Sequence, residues 1–355
     1  MMRTLDLQQK TILITGVAGF IGANLAKRLL GMEAATRIVG IDSLNDYYDV
    51  SLKQFRLQEL LASPRFSFIQ GNIADKQLVG KLFEKYHPQI VVNLAAQAGV
   101  RYSIENPDAY VESNLVGFYN ILEACRHSYD DASVGVEHLV YASSSSVYGA
   151  NAKIPYSTED KADAPVSLYA ATKKSNELLA HAYAKLYDIP STGLRFFTVY
   201  GPAGRPDMAY FGFTDKLRAG EKIKIYNYGN CRRDFTYIDD IVEGIVRVLR
   251  KPPERRKDAD GLPQPPYALY NIGNGQPVNL LKFVDILQQE LIRAEVLPKD
   301  YDFVAHKELV PMQPGDVAVT YADTSALERN FGFKPRTDLR TGLRQFAEWY
   351  KKFYL

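Results

Sequence analysis

The sequence predicts an α/β fold: a doubly wound parallel sheet followed by a smaller C-terminal α/β domain. Three observations predict it. Short apolar runs alternate with helix-length amphipathic segments from residue 10 to residue 197, a pattern that right-handed crossovers turn into a parallel sheet covered on both faces. Three glycines, Gly16, Gly19 and Gly22, stand between the first strand and the first helix. Near Thr198 the regular alternation gives way to a loop rich in Gly and Pro. The expected domains are residues 1–197, joined by part of 234–275, and a second domain formed mainly by 198–355.

The elements follow in order. Residues 10–15 read as a short buried strand that runs through 16–22 into an amphipathic helix over 23–30. A second strand over 37–41 ends in Asp42. A third, 66–70, leads through Gly71, Asn72 and Ile73 to a helix from about 75 to 86. A fourth, 90–94, opens into Ala95, Ala96, Gln97, Ala98 and Gly99, where small residues let a bound molecule ride over the strand end. A long helix over about 108–128 carries Val111, Leu115, Phe118, Leu122 and Cys125 at spacings of 4-3-4-3, a seam suited to the core or to a partner helix. The strand 137–142 delivers Ser143, Ser144, Ser145 and Ser146, and a helix over 167–187 and a strand over 192–197 come next. Beyond the loop, helices are expected over 239–250, 280–291 and 339–354, with 251–266 as an exposed loop. The last helix has Leu339, Leu343, Phe346, Tyr350 and Phe353 on one face, and Trp349 beside them reads as packing.

Composition narrows the function classes. With 46% hydrophobic and 24% charged residues among 355, the chain has the make-up of a globular protein with a large core. A formal net charge of +2 gives no reason to expect nucleic acid. The first ten residues carry an early acid and no apolar stretch, which argues against a secretory signal. No apolar run approaches the length of a membrane span. Two cysteines, Cys125 and Cys231, suit a reducing compartment, so the cytoplasm is the expected location. The five histidines are scattered without metal-ligand spacing, and no metal is expected.

The glycines gain meaning from their setting between a strand and a helix. Gly16 permits the tight turn, Gly19 lets the backbone approach a pyrophosphate, and Gly22 permits close helix packing, with the helix N-terminus facing the phosphates. Asp42 stands twenty residues beyond Gly22. A carboxylate there accepts hydrogen bonds from a ribose 2′-hydroxyl and repels a 2′-phosphate, so NAD is favoured over NADP. Arg56 and Arg65 lie further along, and neither is expected beside this strand end.

Tyr169 and Lys173 are four apart in a helix and face the same way. A tyrosine is a poor base at neutral pH, and a nearby ammonium lowers its pKa. Taken alone, the pair is an ordinary feature of an amphipathic helix. It is the upstream glycines and Asp42 that give it chemistry. The serine cluster likewise reads either as a solvated loop or, at a strand end just before this helix, as a clamp for a sugar hydroxyl. Arg232, Arg233 and the basic, aromatic stretch 218–228 are either surface ion pairs or phosphate contacts.

Together these stretches resemble the extended short-chain dehydrogenase/reductases, with a Rossmann-type sheet, and within them the UDP-glucuronate 4-epimerases. The resemblance covers almost the whole chain. It is carried by residues 16–22, 45–49, 95–103, 143–149, 169–173, 195–207, 233–240 and 314–316. The tyrosine-rich stretch after Asp42 and the loop 195–207 are its most specific parts.

The resemblance implies a mechanism. Tyr169 is the base, Lys173 its electrostatic partner and a nicotinamide-ribose ligand, and Ser144 the substrate hydroxyl binder, with Ser145 as the alternative. Tyr169 removes the 4-hydroxyl proton of the sugar while hydride passes from C4 to NAD. The 4-keto sugar turns over, and hydride returns to the other face. Cofactor contacts are implied at Gly16, Gly19, Phe20, Ile21, Gly22, Asp42, Asn45, Asn72, Ile73, Leu94, Ala95, Ala96, Gln97, Asn114, Tyr169, Lys173 and Phe196. Substrate contacts are implied at Arg101, Ser144, Ser145, Thr198, Arg205, Tyr226, Arg233, Gln313 and Asp316. Thr198 and Arg205 are assigned the sugar carboxylate, Arg233 the diphosphate, Tyr226 the uracil and Asp316 the uridine ribose. A homodimer through the helices bearing 111–125 and 169–187 is implied as well.

Departures from close relatives bear on the reaction. Related 4,6-dehydratases place Asp-Glu where Ser145 and Ser146 stand, and UDP-glucuronate decarboxylases usually place Glu at Ser146, so neither elimination nor decarboxylation is expected. Gln313 stands where many hexose epimerases have an Arg, Thr320 where some hexose epimerases have a bulky Tyr, Asn72 where an Asp is common at the adenine-binding position, and Ala203 where relatives often have a Trp. The alternatives are a 4-epimerase of neutral UDP-hexoses or UDP-N-acetylhexosamines, a UDP-glucuronate decarboxylase, and a non-catalytic NAD-binding sensor. Arg205 and Thr198 are expected to discriminate against the neutral sugars, because a hydroxymethyl gives a buried arginine no counter-charge.

Overall fold

The computed structural model describes residues 4–32, 36–130, 135–258, 260–313 and 316–355. Pro314 and Gly315, part of one stretch that carries the resemblance, lie outside them. The chain divides into two compact units: Met1–Asn151, Lys161–Arg195 and Val242–Tyr270 form the first, and Ala152–Asp160, Phe196–Ile241 and Asn271–Leu355 the second.

The first unit is built on β1 (Thr11–Thr15), α1 (Phe20–Met32), β2 (Arg37–Asp42), α2 (Val50–Leu61), β3 (Phe66–Gln70), α3 (Lys76–Tyr86) and β4 (Ile90–Asn93). Two one-turn helices, α4 (Tyr102–Glu105) and α5 (Pro107–Tyr110), a π turn (Val111–Val116) and α6 (Gly117–His127) follow. Then come β5 (His138–Ser144), a 3-10 turn (Ser145–Tyr148), α7 (Leu168–Tyr187) and β6 (Ser191–Phe196). With β13 (Tyr267–Ile272) at one edge, the strands form a seven-stranded sheet in the order β13-β6-β5-β4-β1-β2-β3. β3, β2, β1, β4 and β5 pair in parallel. The order reverses between β1 and β4, and in such sheets ligands bind at the carboxyl ends of the strands beside that reversal. There Thr15 Oγ1 donates to Asn93 Oδ1 at 2.7 Å and accepts from the N–H of Ala95 at 3.0 Å, which knits the two strand ends together.

The central strands are near-continuous apolar runs because both faces are covered. Leu13, Val39, Val91, Leu139 and Tyr141 share one cluster with Val79, Leu82 and Phe83 of α3, Phe118, Ile121 and Leu122 of α6, and Ala180 of α7. The expected single helix over 108–128 is broken into α5, the π turn and α6. The expected seam breaks with it: Phe118, Leu122 and Cys125 are buried, while Val111 is exposed. A π turn shifts the helix phase, so side chains on either side of it do not line up as spacing alone implies. Helix α2 and strand β13 have no counterpart among the sequence expectations. In α2 the apolar positions Leu52, Leu57 and Leu60 are interleaved with buried Lys53 and Arg56, which hides its pattern.

The second unit comprises β7 (Thr198–Tyr200), α8 (Ala209–Arg218), β8 (Ile223–Ile225), a turn (Tyr226–Gly229), β9 (Arg232–Arg233), β10 (Phe235–Tyr237), β14 (Val278–Asn279), α10 (Leu280–Arg293), β15 (Lys307–Leu309), α11 (Ser325–Phe331) and α12 (Leu339–Tyr354). α9 (Ile238–Leu249) begins in this unit and ends in the first. β7 and β10 pair in parallel, as do β8 and β15. Its core is aromatic, with Tyr200, Tyr210, Phe211, Phe235, Phe283, Phe346 and Tyr350 buried. Trp349 packs on Phe346 and Phe353, as its place beside the α12 stripe implies. The stretch expected as a loop over 251–266 contains a short antiparallel pair, β11 (Arg256–Lys257) with β12 (Pro263–Gln264). Among the described residues no helix is long and apolar enough to cross a membrane.

Candidate active site

The first unit carries a glycine cradle at the β1–α1 turn. Gly16 has φ 69°, and a Cβ built on it would meet the backbone nitrogen of Ala95 at 2.7 Å. A Cβ on Gly22 would lie 2.3 Å from the carbonyl oxygen of Gly16. Any side chain at either place would displace the turn from β4 or from α1. The N-terminal end of α1 begins here at Phe20, and its first turn holds no acidic residue, as an anion site requires. Phe20 and Ile73 are buried, whereas Ile21, Leu94, Ala95 and Ala96 are half-buried around the strand ends. Phe196, at the end of β6, is buried.

Asp42 ends β2. Its Oδ2 accepts from the N–H of Ala18 at 3.0 Å, and its Oδ1 from the N–H of Leu44 at 2.9 Å. A carboxylate has about four lone-pair sites, so acceptor capacity remains for a ribose hydroxyl. Arg56, expected away from this strand end, instead reaches the same turn and donates to the carbonyl of Ala18 at 3.1 Å. Arg65 is turned to the carbonyls of Leu30 and Thr36. Asn45 is exposed, and both its carbonyls accept from Lys53 Nζ, at 2.5 and 2.7 Å. Asn72 is exposed as well. Its Oδ1 accepts from the N–H of Ala74 and its Nδ2 donates to Glu112 Oε1 at 2.9 Å. So the outward acceptor beside Asn72 is the carboxylate of Glu112.

The π turn places Asn114, which is 1% exposed. It accepts from the N–H of Gln97 at 2.9 Å, donates back to the carbonyl of Gln97 at 3.0 Å, and donates to Thr172 Oγ1 at 3.0 Å. Thr172 in turn donates to the carbonyl of Tyr169 at 2.9 Å. Asn114 therefore pins the segment after β4 to the first turn of α7.

Helix α7 starts cleanly because Ser167 accepts from the N–H of Ala170 at 3.1 Å. Tyr169 is half-buried in its first turn, with the ring of Tyr110 edge-on at 6.1 Å. Tyr110 is in turn 6.3 Å from Tyr102, which lies 4.6 Å from Tyr47 in the tyrosine-rich stretch. Lys173 is 3% exposed and donates to the carbonyl of Ala142 at 3.0 Å. Burial pushes its ammonium down to about 8. At neutral pH it still carries its charge.

At the end of β5, Ser144 accepts from the N–H of Ser146 at 3.1 Å and from Ser146 Oγ at 2.9 Å. Ser145 is half-buried in the 3-10 turn. Ser143 points the other way and donates to Glu177 Oε1 at 2.7 Å. Glu177 and its partner Arg195, which brace β5, α7 and β6, were not legible as site residues in the sequence. A buried pair leaves no periodic trace that would have revealed it.

The second unit holds the remaining candidates. Thr198 opens β7, and its N–H donates to the carbonyl of Asp234 at 3.1 Å. Arg205 is paired with Asp207, Nε to Oδ1 at 2.9 Å, with a second contact from Nη2 to Oδ2. This corrects the expected counter-charge argument. Asp207 supplies a counter-charge, and both side chains are about a quarter exposed, so Arg205 is not a bare buried cation. Arg233 Nη2 meets Asp316 Oδ1 at 2.6 Å, so two expected substrate contacts are bonded to each other. Tyr226 is half-buried and starts a turn in which Asn227 and Tyr228 both have φ 50°. Gln313 is half-buried, and its Oε1 is enclosed without a hydrogen-bond partner among the described residues. Thr320 is buried and accepts from the N–H of Asp234 at 3.1 Å. Ala203 is buried with φ 52°. Arg101, in the first unit, is exposed at the start of α4. Among the described residues no cluster could hold a metal ion.

The chain matches the NAD dependent epimerase/dehydratase family over residues 12–273. It is 50% identical over 349 residues to Protein CapI of Staphylococcus aureus, covering 97% of this chain and 99% of that protein. It is 45% identical over 349 residues to the probable UDP-glucuronate 4-epimerase of Rhizobium meliloti, covering 96% and 97%. Among solved structures, UDP-glucuronic acid 4-epimerase from Bacillus cereus, in complex with UDP-glucuronic acid and NAD, superposes with a TM-score of 0.82 at 32% identity and covers 97% of this chain and 100% of that one.

Proposed function

The chain belongs to the NAD dependent epimerase/dehydratase family, and from that premise we propose that it is a UDP-glucuronate 4-epimerase, interconverting UDP-glucuronate and UDP-galacturonate through a 4-keto intermediate. The observation that carries this reading is the end of β5. It presents hydroxyls alone, with Ser144 and Ser146 bonded to each other, just before the helix that holds Tyr169 and the buried Lys173. An acid for eliminating water or for helping CO₂ leave is missing at Ser145 and Ser146.

In this reading the first unit binds NAD and the second binds UDP-sugar. The glycine cradle and Asp42 hold the dinucleotide. NAD, when bound, supplies the hydride acceptor at C4 and returns the hydride, so the cycle consumes no net oxidant. Ser144 orients the sugar 4-hydroxyl. Tyr169 takes its proton and later gives it back, and the ammonium of Lys173 favours the phenolate. Thr198 and Arg205 hold the sugar carboxylate, Arg233 and Gln313 the diphosphate, Tyr226 the uracil and Asp316 the ribose. A 4-keto hexuronate is a β-keto acid that loses CO₂ when the C5–carboxylate bond stands perpendicular to the ketone. Thr198 and Arg205 therefore restrain the carboxylate as well as bind it.

The chain acts as a homodimer. Val116, Tyr119, Leu178 and Leu186 are exposed apolar side chains on or beside α6 and α7, the helices expected to pair. Two free, buried cysteines agree with the cytoplasm as its location.

One observation favours a second reading. Asp207 already neutralises Arg205, so a neutral UDP-hexose leaves no charge unpaired there. Incubating the purified protein with UDP-glucuronate, and separately with UDP-glucose, without added NAD and resolving products by NMR decides between the two. UDP-galacturonate from the first supports the epimerase of hexuronates. Turnover of UDP-glucose alone supports the second reading. UDP-xylose from UDP-glucuronate, or no turnover of either sugar, overturns both.

A further inference from the structure

Lys53 and Arg56 lie one turn apart on α2, and only 5% and 6% of their surfaces are exposed. Arg56 Nη1 donates to the carbonyl of Ala18 at 3.1 Å and to the hydroxyl of Tyr48 at 2.7 Å. The N–H of that same Ala18 donates to Asp42. Lys53 is bonded to Asn45, three residues past Asp42. Both cations share one ring, with Lys53 Nζ 4.7 Å and Arg56 Cζ 5.5 Å from the centroid of Tyr48. Two cations are thus fixed on the two segments that flank the Asp42 carboxylate.

Burying like charges a turn apart is unfavourable. Burial pushes the Lys53 ammonium down and Arg56 adds to this, while the negative charges of Asp42 and Asp46 work against it. Asp42 is therefore a counter-charge to Lys53 as well as an acceptor for a hydroxyl. In dinucleotide sites of this fold a carboxylate selects the 2′-hydroxyl, and a nearby cation accommodates a 2′-phosphate. This chain has both.

We propose that Lys53 and Arg56 form a latent 2′-phosphate site beside the adenosine ribose, and that Asp42 closes it by its charge. Selection of NAD over NADP then rests on one carboxylate set against two resident cations. The proposal depends on the dinucleotide half of the function above and not on the sugar.

The test uses full-length protein incubated with equimolar NAD and NADP, then desalted, with the retained dinucleotides released by acid and quantified by mass spectrometry. The wild type retains mainly NAD. Asp42→Asn raises the NADP:NAD ratio about a hundredfold, and adding Lys53→Met takes back about tenfold of that gain, the scale of one charge-assisted contact. Lys53→Met with Asp42 intact lowers the small wild-type ratio, which keeps the test decisive if Asp42→Asn does not fold. A ratio that Asp42→Asn leaves unchanged, or that Lys53→Met leaves unchanged in both backgrounds, overturns the proposal while the retained NAD upholds the dinucleotide site. A wild type that retains neither dinucleotide overturns both.

Discussion

Arg195 grips Glu177 with one edge of its guanidinium, Nε 2.7 Å and Nη2 2.8 Å from the two carboxylate oxygens, and both side chains are almost fully enclosed. Glu177 is one turn beyond Lys173, and it also accepts from Ser143, the neighbour of Ser144. The pair therefore sets where α7 sits against the end of β5. Breaking one partner of a buried pair leaves the other charge uncompensated. Glu177→Gln or Arg195→Met should cost about 3–5 kcal/mol, read from denaturant unfolding.

The same pair gives that loss a pH dependence. Burial pushes the Glu177 carboxyl up, but hydrogen bonds and charge from Arg195, together with Ser143 and Lys174, hold it net below the ordinary glutamate value. A lowered carboxyl stabilises the fold above its unfolded-state pKa and loses that contribution as pH falls through the folded-state value. The stability gap between wild type and Glu177→Gln should be full at neutral pH and shrink on acidification below the ordinary glutamate range. A gap that stays constant instead would assign the effect to packing.

Lys173 should set the alkaline limb of turnover. With its ammonium lowered to about 8 by burial, it loses its charge as pH rises through that value and with it the support for the Tyr169 phenolate. kcat for UDP-sugar epimerisation should fall above about pH 8, and Lys173→Arg should move the limb upward. Lys173→Met should reduce kcat about a hundredfold or more at neutral pH.

Ser144→Ala should lower kcat about 10–100-fold with little change in stability, because the side chain is half-buried and its two recorded bonds are accepted from Ser146. Equal losses in kcat and in the unfolding midpoint would make Ser144 a structural residue.

Asn114→Ala should destabilise by about 2–4 kcal/mol, since the N–H and the carbonyl of Gln97 both lose their partner in a buried setting. Asn114→Asp keeps the acceptor but loses the donor and buries an unpaired charge, so it should be at least as destabilising as alanine in chemical unfolding.

Leu178→Glu combined with Leu186→Glu should halve the mass measured by light scattering. Both side chains are more than half exposed in the single chain, so its own fold should not suffer.

How much of this was legible in the sequence depends on what leaves a pattern. Residues 10–15, 37–41 and 66–70 read as strands because apolar runs bounded by turn residues are local signals, and they overlap β1, β2 and β3. Gly16, Gly22 and Asp42 were legible because their spacing is itself the geometry of the turn. Lys53 and Arg56 were not, since two charged residues on a helix ordinarily face water and nothing local says that these are enclosed. The pairing of Arg205 with Asp207, and of Arg233 with Asp316, was equally hidden: one pair is two residues apart and the other 83. A sequence names an arginine as a phosphate or carboxylate ligand without showing which acid holds it beforehand.

The π turn at Val111–Val116 has a consequence for how this protein tolerates changes in length. A π turn holds one residue more than an α-helix needs over the same span. Deleting any one residue there would mend the helix and let its hydrogen bonds run unbroken. The helix on either side would keep its place, but the side chains within the turn would be re-aimed. Asn114 would then lose Gln97 and Thr172 together. A gain in helical regularity at this one place is a loss of the site, so a one-codon deletion in it should be far more damaging than most substitutions.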